Sequence, residues 1–285
     1  MSYLAHFGLA RPPFALTPDS DLVFGDTPAR LLAALDYSLD RGDGLLAVVG
    51  EVGTGKTLLA RLLARRVADR AEPAMLVAPA TDLRGLMRLL CRELGLSGQG
   101  ARDELALALQ DRLLELHASG RPAVLIVDEA QALGPEGLEA IRLLSNLETD
   151  RAKLLRIVLF GQPELDRLLA RHGLRQIRDR LAFRLETAPF DPAAARAYIA
   201  HRVDRCSPGG GPNRVFADRA AARIARVSRG FPRRINVLAD RALLAAYAEG
   251  ARRVERAHVA AAEAEDGARL TGAGRWLRRA ARPVG

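Results

Sequence analysis

The sequence predicts an α/β fold in which a five-stranded parallel sheet carries helices on both faces, followed by a small all-helical domain. Three observations predict this fold. Short apolar runs alternate with stretches of helical periodicity as far as Pro189, and a glycine-rich loop follows the first of these runs. After Pro189 only helical periodicity remains. Strands that alternate with helices favour a parallel sheet buried on both faces.

The α/β domain is expected over residues 1–189, and it opens with a lead-in (residues 1–30) marked by aromatic residues and proline. Thr27 is the predicted N-cap of a helix over 29–40, with Pro28 at its start. Apolar runs predict the strands. The five strands are expected at 45–49, 74–78, 123–127, 155–160 and 182–187.

Helices are predicted where apolar residues recur at three- and four-residue spacing. In the α/β domain they are expected from the glycine-rich loop to about Asp69, at 83–94, 105–116, 136–147 and 163–171. A helical lid domain is expected over 190–266, with helices at 192–205, 217–228, 232–248 and 255–265. SPGGGPN (207–213) is a connector within it. Residues 267–285 are predicted to form a basic, flexible tail.

The composition is that of a globular protein: 285 residues, of which 49% are hydrophobic. No apolar run approaches the roughly 18 residues that cross a bilayer, and no signal peptide pattern opens the chain, so a cytoplasmic protein is expected. Cys91 and Cys206 match no disulfide framework or metal spacing. The net charge of +9 is compatible with nucleic acid or an anionic membrane as partner, and equally with an arginine-rich composition that serves neither.

The glycine-rich segment GEVGTGKT (50–57) matches the phosphate-binding P-loop pattern and stands between a predicted strand and a predicted helix. Its backbone N–H groups would curl around the phosphates of ATP, and the helix dipole would add to the attraction. Lys56, one of only two lysines in the chain, would reach the β- and γ-phosphates, and Thr57 would bind Mg²⁺. The predicted nucleotide contacts are Gly50, Glu51, Val52, Gly53, Thr54, Gly55, Lys56, Thr57 and Leu58.

The segment AVLIVDEAQ (123–131) ends a buried strand with two acidic residues. Asp128 would hold Mg²⁺, directly or through water, and Glu129 would act as the general base toward the attacking water. The alternative is a solvated strand end. The P-loop at this separation favours the functional interpretation.

At these motifs the chain resembles the AAA+ ATPases, and more narrowly the general secretion pathway protein A group of type II secretion assembly, with relatives in mannose-sensitive pilus biogenesis and exopolysaccharide export. The resemblance covers about residues 3–265. It is carried by FGLARPPFALTPD, GEVGTGKT, LIVDEAQ, IRLLSNLETD, LFGQPEL, LRQIRDRLAFR and GFPRRINVLADRALLAAY. Larger secretion members continue into a membrane span and a peptidoglycan-binding part, and peptidoglycan binding is not expected of this chain.

The resemblance implies further site residues. Gln162 lies at the sensor-1 position after the fourth strand. Arg180, and secondarily Arg178, match the arginine finger that enters a neighbouring subunit's site. Arg233 matches the sensor-2 arginine of the lid, with Arg234 as the adjacent alternative. Candidates for the adenine wall, or alternatively for plain core, are Phe7, Phe14 and Phe24.

The resemblance also implies a function. The chain would hydrolyse ATP with Mg²⁺, self-associate as a ring or nucleotide-dependent oligomer, and drive assembly of an envelope machine through a protein partner. The alternative is a DNA-associated AAA+ ATPase of the transposition-helper type, and nucleic acid is the less favoured partner. The basic tail could touch the inner membrane peripherally, bind DNA or stay solvated; its key residues are Arg269, Arg275, Trp276, Leu277, Arg278, Arg279 and Arg282.

Overall fold

The computed structural model describes residues 2–17, 19–149, 152–211 and 213–270. Its sheet has five strands, all parallel, in the order β2-β3-β4-β1-β5, which confirms the predicted fold class. The strands are β1 (Leu45–Gly50), β2 (Glu72–Leu76), β3 (Ala123–Val127), β4 (Leu155–Gly161) and β5 (Phe183–Thr187).

Twelve α-helices lie in the described ranges. They are α1 (Tyr3–His6), α2 (Asp26–Arg41), α3 (Lys56–Val67), α4 (Leu83–Glu93), α5 (Arg102–Ala118), α6 (Gly134–Leu144), α7 (Pro163–Leu169), α8 (Arg175–Arg178), α9 (Pro192–Cys206), α10 (Asp218–Ser228), α11 (Pro232–Ala248) and α12 (Arg256–Leu270).

Alternation along the strands gives the sheet two buried faces. In β1, Ala47 and Val49 belong to a core cluster with the leucines of α4 and α5, whereas Leu46 and Val48 belong to a second cluster with α2 and α3. All six residues of β1 are buried. This burial on both sides explains why the strand reads as a continuous apolar run.

Two predicted boundaries are wrong. β2 begins two residues earlier than expected, at Glu72, because its register pairs Glu72 with Ala123 and Leu76 with Val127, while Val77 is exposed beyond the strand. α2 begins at Asp26, so Thr27 lies in its first turn and is not the N-cap. Proline is tolerated in the first turn of a helix, which allows the helix to start before Pro28.

The chain divides into two compact units, and the division corrects the expected place of the lead-in. The α/β unit is Asp26–Ala188, whereas Met1–Gly25 groups with the segment that begins at Pro189. Phe7 and Phe14 are core residues of this helical unit, and Phe14 is 1% exposed against the ring of Phe216. The two side chains therefore pack as core, the alternative to an adenine wall.

Polar contacts attach the lead-in to α9. Arg202 is 4% exposed, and its guanidinium donates to the carbonyl oxygen of Pro13 and to the hydroxyl of Tyr198. The backbone N–H of Ala10 donates to the carbonyl of Cys206 over 2.7 Å. A buried arginine that satisfies lead-in carbonyls fixes this segment to the helical unit.

The turn before α11 requires glycine. Gly230 has a φ of +76°, and a Cβ built on it would lie 1.9 Å from the carbonyl oxygen of Phe190. We expect Gly230→Ala to lower the free energy of unfolding by about 3 kcal/mol or more, because it adds a backbone clash to a left-handed conformation. Urea titration followed by circular dichroism measures the change.

Gly250→Ala is the matched control for this substitution. Gly250 has a similar φ of +68° but nothing within 4 Å of the added Cβ. Its loss should be about 1 kcal/mol, from backbone strain alone. Equal losses in the two variants would contradict the assigned clash.

Within the described ranges, none of the helices is both long enough and apolar enough to cross a membrane. α12 continues to Leu270, so the predicted tail does not begin at residue 267. The rest of the predicted tail, 271–285, lies outside the described residues.

Candidate active site

The candidate site lies at the carboxyl edge of the sheet. The glycine-rich loop follows β1, Asp128 and Glu129 follow β3, and Gln162 follows β4. Since β4 lies between β1 and β3, the three segments leave the sheet side by side. Ligands of open parallel sheets bind at this edge. The structure thus brings the two sequence motifs and Gln162 together.

The loop over 50–55 depends on glycine at both of its ends. A Cβ on Gly50 would lie 1.9 Å from the hydroxyl oxygen of Thr187 at the end of β5. Gly55 has a φ of +99° and caps α3 without a side-chain hydrogen bond. The first-turn N–H groups of α3, like those at the start of any helix, have no intrahelical acceptor. They are therefore suited to bind an oxyanion such as phosphate.

Lys56 lies inside the curve of this loop and is 5% exposed. Its Nζ donates to the carbonyl oxygens of Gly50 at 2.8 Å and Glu51 at 2.9 Å. Burial lowers the pKa of Lys56, and the charges of Glu129 and Asp128 act in the opposite direction. The loop therefore encloses a compact cation, a role that the broad guanidinium fork of arginine fits poorly.

Thr57 and Asp128 form the second half of the site. The Thr57 hydroxyl donates to Oδ2 of Asp128 over 2.7 Å, and Asp128 is 1% exposed. Its other oxygen, Oδ1, accepts the backbone N–H of Glu129 at 3.0 Å. A hydroxyl and a carboxylate in contact are hard oxygen ligands of the kind that Mg²⁺ prefers. The described residues contain no cluster of three or more acidic, histidine or cysteine side chains for a metal, and Mg²⁺ bound with nucleotide needs none.

Glu129 adopts an unusual backbone conformation, with a φ of 52°. Two amide side chains donate to the same carboxylate oxygen, Oε2: Gln162 over 2.8 Å and Gln131 through a short hydrogen bond. The side-chain oxygen of Gln131 also accepts the backbone N–H of Gln162 at 3.0 Å, which closes a hydrogen-bonded ring of three residues. The strained backbone and the paired amides fix the direction of the carboxylate.

The pKa of Glu129 is lowered by this setting. Burial acts to raise it, but the hydrogen bonds from Gln162 and Gln131, together with the charge of Lys56, outweigh burial. Glu129 is therefore ionised at neutral pH, the form in which a carboxylate can accept a proton.

Gln131 and Thr187 are the contacts that sequence reasoning missed. Gln131 stands in the quoted DEAQ segment, and its position two residues after Glu129 was the available signal. Thr187 shares a 2.7 Å hydrogen bond with the Thr54 hydroxyl of the loop. Their sequence separation of 133 left no sequence signal for this contact.

The two finger candidates lie elsewhere on the α/β unit. The guanidinium of Arg180 donates to the Ser145 hydroxyl over 3.2 Å and, through a short hydrogen bond, to the side-chain oxygen of Asn146. Arg178 is 3.8 Å from Asp179. Both arginines are exposed, and in the described chain neither bonds to the sheet-edge site. Their role in a neighbouring subunit stays a prediction.

The sensor-2 candidate belongs to the helical unit. Arg233 is the second residue of α11, directly after Pro232, and it is exposed, as is Arg234. Its predicted role likewise stays a prediction.

The α/β unit matches a known family: residues 39–169 correspond to the AAA domain. This match, the parallel sheet and the loop geometry identify residues 39–169 as an AAA domain. The chain is similar to general secretion pathway protein A of Aeromonas hydrophila, with 37% identity over 266 residues, which confirms the resemblance inferred from the motifs. The alignment covers 92% of this chain and 48% of the relative, so the chain spans about half of that protein's length.

Solved structures of other proteins have a fold similar to that of this chain. The ORC2 protein of Aeropyrum pernix, in complexes with ADPNP and ADP, aligns with a TM-score of 0.69 and 19% identity over 92% of this chain and 73% of that one. The RuvB branch migration motor of Thermotoga maritima aligns with a TM-score of 0.51 and 19% identity, over 89% of this chain and 72% of that one. At these identities the likeness shows the fold alone.

Proposed function

We propose that this chain is an ATPase that binds ATP and Mg²⁺ at the carboxyl edge of its sheet and hydrolyses ATP to ADP and phosphate. The observation that carries the proposal is the 2.7 Å contact between Thr57 and Asp128, which joins the P-loop to the acidic strand end. Glu129 follows directly and is oriented by Gln162 and Gln131. A P-loop, a metal-binding acid and an oriented base in one place are the parts that NTP hydrolysis needs.

Each part has a role in this proposal. The loop N–H groups and Lys56 hold the phosphates of ATP, and Thr57 with Asp128 holds Mg²⁺, which neutralises charge that develops on the phosphates. Glu129 accepts a proton from the attacking water, and Gln162 keeps the carboxylate aimed. Arg180 of a neighbouring copy supplies positive charge from outside, so the active form is an oligomer.

The similarity to general secretion pathway protein A supports a proposal for the biological role. We propose that nucleotide-driven conformational change in this chain serves assembly of a secretion-type envelope machine, at the cytoplasmic side of the inner membrane and through a protein partner. The alternative, a DNA-associated ATPase, draws only on a likeness of fold to DNA-handling proteins, and that likeness carries no function.

The test of the proposal is the Lys56→Ala variant. It should abolish ATP binding, because Lys56 is the side-chain cation enclosed by the loop. Fluorescence titration with labelled ATP measures the affinity, and thermal melting checks that the variant is folded. The matched control is Lys153→Ala, which removes the chain's other lysine. Unchanged affinity in Lys56→Ala would contradict the site, and equal loss in the control would contradict its specificity.

A further inference from the structure

A cavity of about 210 Å³ lies at the opposite, amino edge of the sheet. Its apolar wall includes Leu39, Val67 and Val124, from the ends of α2 and α3 and the start of β3. Its charged lining residues are Asp40, Arg70 and Arg156. Arg156 is the second residue of β4, so it lies at the far end of the strand that leads to Gln162.

Arg156 forms no ion pair in this cavity, although Asp40 also lines it. Its Nε is buried and has no hydrogen-bond partner, and among the described residues it forms no salt bridge. Burial lowers the pKa of its guanidinium, Asp40 acts in the opposite direction, and Arg70 lowers the pKa further. A buried N–H donor without an acceptor destabilises the fold, and more strongly when the group is charged.

The carboxylates nearby are already engaged. Asp36 accepts hydrogen bonds from Arg66 and, at 2.6 Å, from Arg70. Asp40 pairs with Nε of Arg70 at 3.3 Å. The carboxylates of Asp36 and Asp40 therefore pair with other arginines, and neither accepts a hydrogen bond from Nε of Arg156.

The helix ends explain part of this cluster. α2 and α3 both end at the cavity, and the carboxyl end of a helix attracts cations. The dipoles therefore account for arginines gathering here. They do not supply an acceptor for the buried Nε of Arg156.

We propose that this cavity is a binding site for a small oxyanion, a phosphate or carboxylate group, which accepts hydrogen bonds from Arg156 beside the second cation, Arg70. An arginine fork matches the two oxygens of such a group. The volume is below the roughly 300–1,000 Å³ of pockets that hold drug-sized ligands, so the occupant is one anionic group rather than a nucleotide. The group can belong to a free anion or to an acidic side chain of a second copy of this chain.

The test is a titration of ¹⁵N-labelled, nucleotide-free full chain with inorganic phosphate, and separately with malonate, observed at the arginine Nε–Hε resonances. Arg156→Lys assigns the resonance of interest. We expect that resonance to shift on saturation, and Arg156→Gln to weaken binding roughly tenfold or more. Arg156 forms no ion pair with the described residues, so Arg156→Gln should not unfold the chain, and the wild-type resonance reports binding independently of any variant.

Two controls separate this site from the P-loop. Lys56→Ala, which impairs the other phosphate site, should keep the Arg156 response. Arg112→Gln removes one positive charge from a surface pair with Glu115 and should leave the affinity unchanged. Anion binding at Arg156 is therefore tested independently of ATP hydrolysis.

Sedimentation equilibrium without nucleotide distinguishes the two sources. If the anionic group comes from a second copy, both added phosphate and Arg156→Gln should lower the average mass, and Arg112→Gln should not. If the anion is free, the mass is constant while the Arg156 resonance shifts. The proposal would be overturned if the Arg156 resonance did not shift with either anion and Arg156→Gln did not change the average mass.

Discussion

The Arg180→Ala variant is expected to bind ATP like the wild type and to lose about 10³- to 10⁵-fold in hydrolysis rate, the range in which a missing arginine finger acts. Arg180 is exposed and bonds to Ser145 and Asn146 on its own chain rather than to the sheet-edge site, so the role we propose for it is at the site of another subunit. Arg178→Ala, at the second candidate position, tests which arginine acts. Arg167→Ala, on an exposed surface pair with Glu164, controls for loss of charge.

Mixing two inactive variants tests the shared site directly. Arg180→Ala retains a complete phosphate loop, and Lys56→Ala retains the finger, so a mixed interface can hold one whole site. Specific activity of the wild type should rise with protein concentration, and the mixture should recover part of the activity. A specific activity independent of concentration, with no recovery in the mixture, would show that each subunit works alone.

The Glu129→Gln variant should bind ATP with Mg²⁺ and lose about 10²- to 10⁴-fold in turnover, the usual contribution of a general base. The amide keeps the size of the side chain and removes the proton acceptor. Glu136→Gln, an exposed acid in the first turn of α6, is the matched control and should hydrolyse ATP at the wild-type rate. Wild-type turnover in Glu129→Gln would remove this residue from the role of base.

The pH dependence gives a second readout of the same base. Because the pKa of Glu129 lies below its ordinary value, the carboxylate stays ionised as the pH falls, and the rate declines only when the pH passes through the lowered pKa. Removing one of the two amide donors with Gln131→Ala should raise that pKa and move the acid limb of the rate profile to higher pH. An acid limb that does not move would show that Gln131 leaves the ionisation of Glu129 unchanged.

Local pattern explains what the sequence could predict. The run LLAVV requires a buried strand, and the glycines before Lys56 require a tight loop, because the deciding interactions lie within a few residues. The carboxyl ends of parallel strands meet at one edge, so Asp128 and the loop could be expected together before any distance was known.

The features that could not be predicted from the sequence depend on long-range contacts. The register of β2 depends on pairing with β3, some fifty residues later. Apolar content alone placed the predicted strand two residues too late. The lead-in joins the helical unit through Arg202, which contacts Pro13 across 189 residues. Gln131 and Gln162 are a further example. Their hydrogen bonds to the same carboxylate of Glu129 can form together only when β3 and β4 lie side by side.

The scarcity of lysine has a consequence for chemical modification. The chain's two side-chain amines occupy the two halves of the proposed composite site: Lys56 inside the phosphate loop, and Lys153 in contact with Glu148 and the carbonyl of Ser145, the residue whose hydroxyl accepts from Arg180. The 41 arginines (43 basic residues less two lysines) do not react with acylating reagents aimed at amines. Apart from a free α-amino group, acetylation or amine labelling, which scatters over the surface of most proteins, is therefore confined here to Lys56 in the phosphate loop and to Lys153 near the proposed finger.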